Sequence, residues 1–314
     1  MKRLLDPRIL HRLSQSLEIL NRKRPLNFVA LKKIRTRLSI EMTYHSNAIE
    51  GNRLTLKETL LVLSEGITVK GKNLQEHLEA KNHEEAMHFL FALIDSKKRI
   101  NFSNHLIRQL HQLIVKDTEK NIAGKYRNTD VRILGSKHQP PAGYQVALEM
   151  EKFVGWLSKN SSRMHPVELA VIAHHRFVAI HPFADGNGRT GRLLMNLILM
   201  KKGYPIGIIL KNDRQKYYAA LDQADRGNLV LLARLVAQAV ERTFSIYLES
   251  TSKSSPQTES IVLSKLAEKS DFSAKYLNLL ARSGLLNARK EGRNWYSSVK
   301  DLEDYKKNRI RKRY

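Results

Sequence analysis

Twelve consecutive residues, His181-Pro-Phe-Ala-Asp-Gly-Asn-Gly-Arg-Thr-Gly-Arg192, constrain the fold of this chain more than any other stretch. A purely structural segment has little use for three glycines mixed with a histidine, an aspartate, an asparagine and two arginines. Glycines let a backbone turn left-handed and approach another group closely. From Arg189 onward, Leu193, Leu194, Asn196, Leu197, Leu199 and Met200 follow the helical period, so the glycine loop feeds a helix N-terminus. The N–H groups there lack helical partners and sit at the positive end of the helix dipole, which favours a bound anion. Arg189 and Arg192 are spaced i, i+3 and offer two guanidinium forks for phosphate oxygens. Asp185 supplies a hard oxygen ligand for Mg2+, and His181 titrates near neutral pH. A nucleotide site follows from that combination.

The pattern His-x-Phe-x-Asp-Gly-Asn-Gly-Arg-x-x-Arg, from His181 to Arg192, resembles the active-site motif of the Fic family at every defining position. The resemblance implies a mainly α fold, a Fic-type helical domain with a short β-hairpin flap. It also implies transfer of AMP from ATP, with Mg2+, to a Ser, Thr or Tyr hydroxyl of a target protein, this chain itself included. His181 would be the catalytic base and Asp185 the metal ligand. Gly186, Asn187, Gly188, Arg189, Thr190, Gly191 and Arg192 would hold the nucleotide, the two arginines clamping its outer phosphates. Phe183, apolar within a polar loop, should anchor that loop to the core.

The 314 residues suffice for a sizeable core and a second small domain. No apolar run approaches the ~18 residues of a membrane span, and Asp6, Pro7 and Arg8 interrupt any signal-peptide core. The expectation is a cytoplasmic protein with no membrane partner. There is no cysteine, so disulfides and thiolate metal sites are excluded. A net charge of +25 points to an anionic partner, either nucleic acid or nucleotide phosphate, against the plainer reading of a solvated basic surface.

In chain order, residues 1–24 read as an amphipathic helix packed on the main domain, with a membrane-surface helix as the alternative. Residues 28–49 form another helix, stopped at Gly51 or Asn52, and Thr55-Leu-Lys-Glu58 opens the next one as a capping box. Ser46-x-x-x-Glu50-Gly51, with Asn47 between, resembles the inhibitory motif of autoregulated Fic proteins whose inhibitory helix is N-terminal. In that reading Glu50 forms a bidentate pair with Arg192 and withholds it from ATP. Read without the family, Ser46 to Glu50 is a polar helix end. Helices follow over Leu74 to Ser96 and over 103–116, and the histidines at 77, 83 and 88 receive no role.

The helical period breaks between Ala123 and Pro141, where Val131, Ile133 and the turn residues Gly135-Ser136 suggest a short hairpin. Gly124-x-Tyr-Arg127 through Pro140-Pro141 resembles the Fic flap, which would place Gly135, Ser136, Lys137 and His138 beside the nucleotide and hold a target by strand addition. Pro166 suits the first turn of the helix leading to His181. His174 and His175 next to His181 and Asp185 raise a metal-hydrolase alternative, but it leaves the glycines and arginines unexplained. A helix capped by Asn212 or Asp213 carries Tyr217-Tyr218, which resembles the adenine-side wall of the family, with Tyr218 as the contact and Asp225 nearby.

The domain reading is a helical region with the inhibitory helix over 1–100, the catalytic domain over 101–250 and a Ser/Pro-bearing linker over 251–257. Residues 258–314 then form a small winged helix-turn-helix domain with a basic tail. It reads as helices over Ser260 to Lys269 and Ser273 to Ser283, then two β-segments around Glu291-Gly292. From residue 258 onward, 14 Lys and Arg face 7 Asp and Glu, which suits DNA phosphates, with a protein-docking module or a plain basic tail as alternatives. A homodimer is also among the expected assemblies. Two rival functions stand beside AMP transfer: removal of AMP by the same site, with Glu50 positioning a water, and a DNA-bound regulator that only senses nucleotide.

Overall fold

A computed structural model describes residues 3–96, 100–252, 261–268, 270–282, 286, 288–291 and 294–310. The chain divides into two compact units, Met1–Thr251 and Ser252–Tyr314.

Among the described residues, the first unit is all helix and loop. Its centre is an antiparallel pair, α7 (Pro166–Ile180) and α8 (Asn187–Lys201), whose apolar residues are buried on nearly every side. A helix that is apolar all round has to lie inside its domain. Helices α4 (Leu74–Asp95) and α5 (Asn104–Val115) pack on α8, α6 (Val146–Asn160) on α7, and α2 (Phe28–Ile49) on α4. Helix α1 (Pro7–Arg22) turns Leu13 and Leu20 into the core. The N–H groups of Leu4 and Leu5 both bond Glu168 Oε1 of α7, so α1 is a packed helix of the domain. Helix α3 (Leu56–Glu65) opens with the expected Thr55–Glu58 capping box and ends at Gly66 in the left-handed region. Pro166 occupies the first turn of α7 as expected. Helix α6 lies in a stretch that sequence analysis leaves unassigned. Helix α9 (Arg214–Asp225) follows a single 3-10 turn, and α10 (Val230–Ser252) closes the unit. Asp213 stands at the α9 cap position, but its side chain bonds Lys216 and caps nothing.

The expected flap is present as a turn without a ladder. Ser136 N–H bonds Ile133 O at its tip, yet residues 126–142 contain no strand. Pro140 and Pro141 have no N–H to give a ladder. Gly143 instead lies so close to the opposite arm that a Cβ there would come within 2.2 Å of Asn128 O.

In the second unit, β1 (Ile261–Val262), β2 (Arg289–Glu291) and β3 (Asn294–Ser297) form an antiparallel sheet of order β1-β3-β2. Helices α11 (Leu263–Glu268), α12 (Ala274–Arg282) and α13 (Val299–Ile310) complete it around Leu263, Leu266, Leu277, Leu280 and Leu302. The helix expected over Ser260 to Lys269 is thus shorter, because Ile261 and Val262 pair with Tyr296 and Ser297 as a strand. The second helix and both β-segments stand where expected. Most of the 251–257 linker, the turn at 292–293 and the tail at 311–314 lie outside the described residues. No described helix is long and apolar enough to cross a membrane.

Candidate active site

Helix α7 stops because His181 takes a left-handed backbone (φ 50°) after its N–H bonds Phe177 O, and Pro182 has no N–H to continue. A non-glycine residue in that region needs outside support. Arg127 gives it, donating Nε to His181 O at 2.7 Å and Nη2 to Ile180 O at 3.2 Å. The loop that follows is folded on itself. Phe183 N–H donates to Asn187 Oδ1 (2.9 Å), and Asn187 Nδ2 returns a bond to Phe183 O (2.8 Å). Phe183 is fully buried and stacked on the His111 ring at 3.7 Å, so it anchors the loop as expected.

His111, on α5, had no sequence signal beyond being one histidine in an amphipathic helix. Its Nδ1 accepts from Gly124 N–H (3.0 Å), so its Nε2 carries the proton and donates to Asp185 O (3.0 Å). Burial pushes this imidazole down to about 4, which keeps it neutral. Gly186 (φ 75°) lies against the same groups, where a Cβ would be 3.0 Å from Val115 Cγ1. A side chain there would be doubly opposed, by space and by backbone.

The two arginines diverge. Arg189 is 4% exposed and reaches Asp185 Oδ2 (3.2 Å) and Glu79 Oε1 (3.5 Å). Arg192 is 1% exposed and turns toward α2: Nε donates to Ser46 Oγ (3.0 Å), and Nη2 to Ser46 O (2.8 Å) and Glu50 Oε1 (2.7 Å). The expected Glu50–Arg192 pair exists but is not bidentate: only Nη2 reaches the carboxylate, Nε goes to Ser46, and among the described residues the buried Nη1 has no hydrogen-bond partner. Burial opposes the Arg192 charge, and the Glu50 carboxylate leads the groups that hold its pKa up. Asn47 is buried beside them with Nδ2 on Glu79 O, and Gly51 (φ 107°) turns the chain away.

Glu50 also rests on the start of α8. A Cβ on Gly188 would come within 2.1 Å of Glu50 Oε1, so only glycine admits the carboxylate there. An anion therefore already sits at the N-terminus of α8, and it belongs to α2.

Beside it opens a cavity of about 520 Å³. His181, Gly188 and Glu50 line one part of it, Gly135, Ser136 and His138 of the flap another, and Tyr218 and Asp225 of α9 a third. Burial lowers the His181 pKa first, and the Arg127 charge acts in the same direction; the Val178 carbonyl and the Glu50 and Asp185 carboxylates oppose. Among the described residues, its buried Nδ1 has no partner at hydrogen-bond geometry. The ring is thus a neutral imidazole at neutral pH. Tyr218 Oη bonds Ile49 O (3.3 Å), Arg214 covers its ring, and Arg214 Nε bonds the same carbonyl (2.7 Å). Tyr217 is core, hydrogen-bonded to His174 Nε2 (2.8 Å), whereas His175 bonds Asp225 (2.8 Å).

Several expected nucleotide contacts are not on this cavity. Thr190 is fully buried, and Gly191 packs against His174, Phe177 and Val178. Asn187 is consumed by the loop, Lys137 lines a groove outside the flap, and Arg189 and Arg192 are drawn to acidic groups of α4 and α2. Helical period places residues on faces, but only the packing of α2, α4 and α7 decides which face meets the cavity.

A family profile described as Fic/DOC family matches residues 101–199. The protein adenylyltransferase Fic of Nematostella vectensis is 39% identical over 229 residues, which is 72% of this chain and 53% of that protein. The chain thus spans about half the length of the curated relatives it matches. Among solved structures, a fragment of Fic-1 from C. elegans is similar with a TM-score of 0.72 and 32% identity, over 79% of this chain and 73% of that one. A Fic domain containing signaling protein from Bacteroides thetaiotaomicron has a TM-score of 0.70 and 26% identity, over 79% and 98%.

Proposed function

The chain belongs to the Fic/DOC family, and on that footing we propose that it is a protein adenylyltransferase held in check by Glu50. The observation that carries this reading is Glu50 itself: its carboxylate holds Arg192 and rests against Gly188, on the cavity that His181 lines. A carboxylate seated at a helix N-terminus stands in for an anionic phosphate oxygen. ATP phosphates would take that place once Glu50 leaves, and Arg192 would then face them.

In the reaction, His181 accepts the proton of a Ser, Thr or Tyr hydroxyl on a target protein. The freed oxygen bonds to the α-phosphorus of ATP, and the bond to the β-phosphate oxygen breaks, releasing pyrophosphate. Backbone N–H groups at the start of α8 receive the charge that grows on the phosphoryl oxygens. Asp185, a carboxylate with a 59% exposed side chain, suits Mg2+, which is commonly held by one or two carboxylates together with substrate phosphates. Bound there, Mg2+ would offset the phosphate charge. Tyr218 and the flap around Gly135 and Ser136 would flank the nucleotide. Protein hydroxyls presented along the flap are the substrate class, this chain's own included.

Incubation with ATP and Mg2+ followed by mass spectrometry of the chains tests the reading, with adenylylated hydroxyls expected in Glu50→Gly. His181→Ala should lose transfer while still binding nucleotide in calorimetry; loss of both would make His181 a structural residue. A second reading has its own support, since the Glu50 charge acts on His181 and could align a water with it. Faster AMP release from a modified target by the wild type than by Glu50→Gly would favour that hydrolase. For the second unit, a sheet of order β1-β3-β2 packed on α11, with α12 against α11 and carrying exposed Lys275 and Arg282, supports a winged-helix DNA contact. Binding in a gel shift should weaken steeply with salt; salt-independent retardation would argue against phosphate contacts.

A further inference from the structure

Arg127 has no place in the mechanism above, yet it is among the most heavily bonded side chains near the site. It is 6% exposed, and among the described residues its guanidinium bonds only main-chain carbonyls. Nε reaches His181 O and Nη2 reaches Ile180 O, at the end of α7. Nη1 reaches Thr129 O at 2.7 Å on the first arm of the flap, and Nη2 also reaches Pro141 O at 2.7 Å on the second. Its own N–H bonds Pro182 O at 2.9 Å. Asp130, the nearby carboxylate, is turned to Gly143 N–H (2.8 Å).

A buried guanidinium is costly to desolvate, and a neutral side chain could have tied two loops together. The planar fork does something else: in one rigid group it spans both flap arms and the backbone of the residue that takes the proton. The last carbonyls of a helix carry partial negative charge, which favours a protonated imidazole beside them. A cation on those carbonyls offsets that effect.

We propose that Arg127 is a positioning residue that fastens both arms of the flap to the backbone of His181, so that the segment presenting the target hydroxyl and the base receiving its proton move as one body. This rests on the reading of His181 as the base. It also accounts for a flap that keeps its shape without a ladder: Arg127 joins the two arms, with the Asp130–Gly143 bond beside it. Burial and the Arg127 charge oppose the imidazolium, whereas the Val178 carbonyl and the Glu50 and Asp185 carboxylates favour it, so removing Arg127 leaves burial alone against them.

The test uses the full chain carrying Glu50→Gly, with Arg127→Met and Arg127→Lys added separately. Three quantities are read: kcat and ATP KM for AMP transfer, the NMR titration of the His181 ring, and amide exchange over residues 128–142. Arg127→Met should lower kcat about 10- to 100-fold, as expected for a misplaced base, with ATP KM moved less than about threefold. It should also raise the His181 pKa and speed flap exchange. Arg127→Lys keeps the charge without the fork, so it should restore the titration but not kcat or flap protection. A folded Arg127→Met with unchanged kcat, titration and exchange overturns the proposal. So does full recovery of kcat and flap protection in Arg127→Lys. If Arg127→Met does not fold, Arg127→Lys decides by kcat and exchange alone. A Glu50→Gly chain that transfers no AMP defeats the enzymatic reading, and titration with flap exchange still decides whether Arg127 joins flap to histidine.

Discussion

At the scale of single residues, the site is a set of side chains spent on holding other atoms in place. Asn187 satisfies both backbone groups of Phe183. Asn187→Ala leaves a buried N–H and a buried C=O unpaired, so chemical denaturation should show a loss of about 3 kcal/mol; a loss below about 1 kcal/mol would mean that water fills the gap. His181 carries its own prediction. Its pKa lies below the ordinary 6.5, so the base stays deprotonated through neutral pH. The acidic limb of kcat/KM should therefore fall below pH 6.5; a limb above it would contradict the burial argument. Part of this scale was legible: His181, Glu50 and Gly188 carry chemistry in their types and spacing, and they line one cavity. His111 was not, since a histidine on an amphipathic helix that also carries His105 has no signature. Nor could spacing show that Thr190 and Gly191 face the core.

Elements were legible where local signals agree with packing. Pro166 and the Thr55–Glu58 box mark helix starts that the fold uses. Thr55→Ala should cost about 1 kcal/mol in thermal or chemical unfolding while AMP transfer stays the same; altered transfer would tie α3 to the site. The flap defeated pattern reading for a physical reason. Val131 and Ile133 have strand character, but their segment is secured by Arg127 and Asp130, and two prolines empty the partner arm of donors. Strand β1 was missed because its two residues pair with Ser297 and Tyr296, 36 and 34 positions further on, a contact no local window contains.

On the scale of the whole molecule, three buried histidines make the first unit sensitive to acid. Desolvation pushes His83 and His174 down to about 3 and His111 to about 4. The unfolded chain protonates them near pH 6.5, whereas the folded chain keeps them neutral until far lower pH. Stability is thus complete above about pH 6.5 and declines as pH falls toward 4, each unit of displacement being worth about 1.4 kcal/mol. Melting temperatures across that window should drop steeply, and a flat profile would show these imidazoles solvated.

The central claim is that one carboxylate of α2 sits in the phosphate seat and holds the arginine ATP requires. Its most direct measurement is incorporation of label from α-labelled ATP with Mg2+ by the wild type, Glu50→Gly and Glu50→Gly with His181→Ala. Freeing Arg192 should raise incorporation by about tenfold or more, the change expected when a contact of about 1.4 kcal/mol is removed, and the double variant should return to background. Equal labelling of wild type and Glu50→Gly, or persistent labelling without His181, would contradict the account.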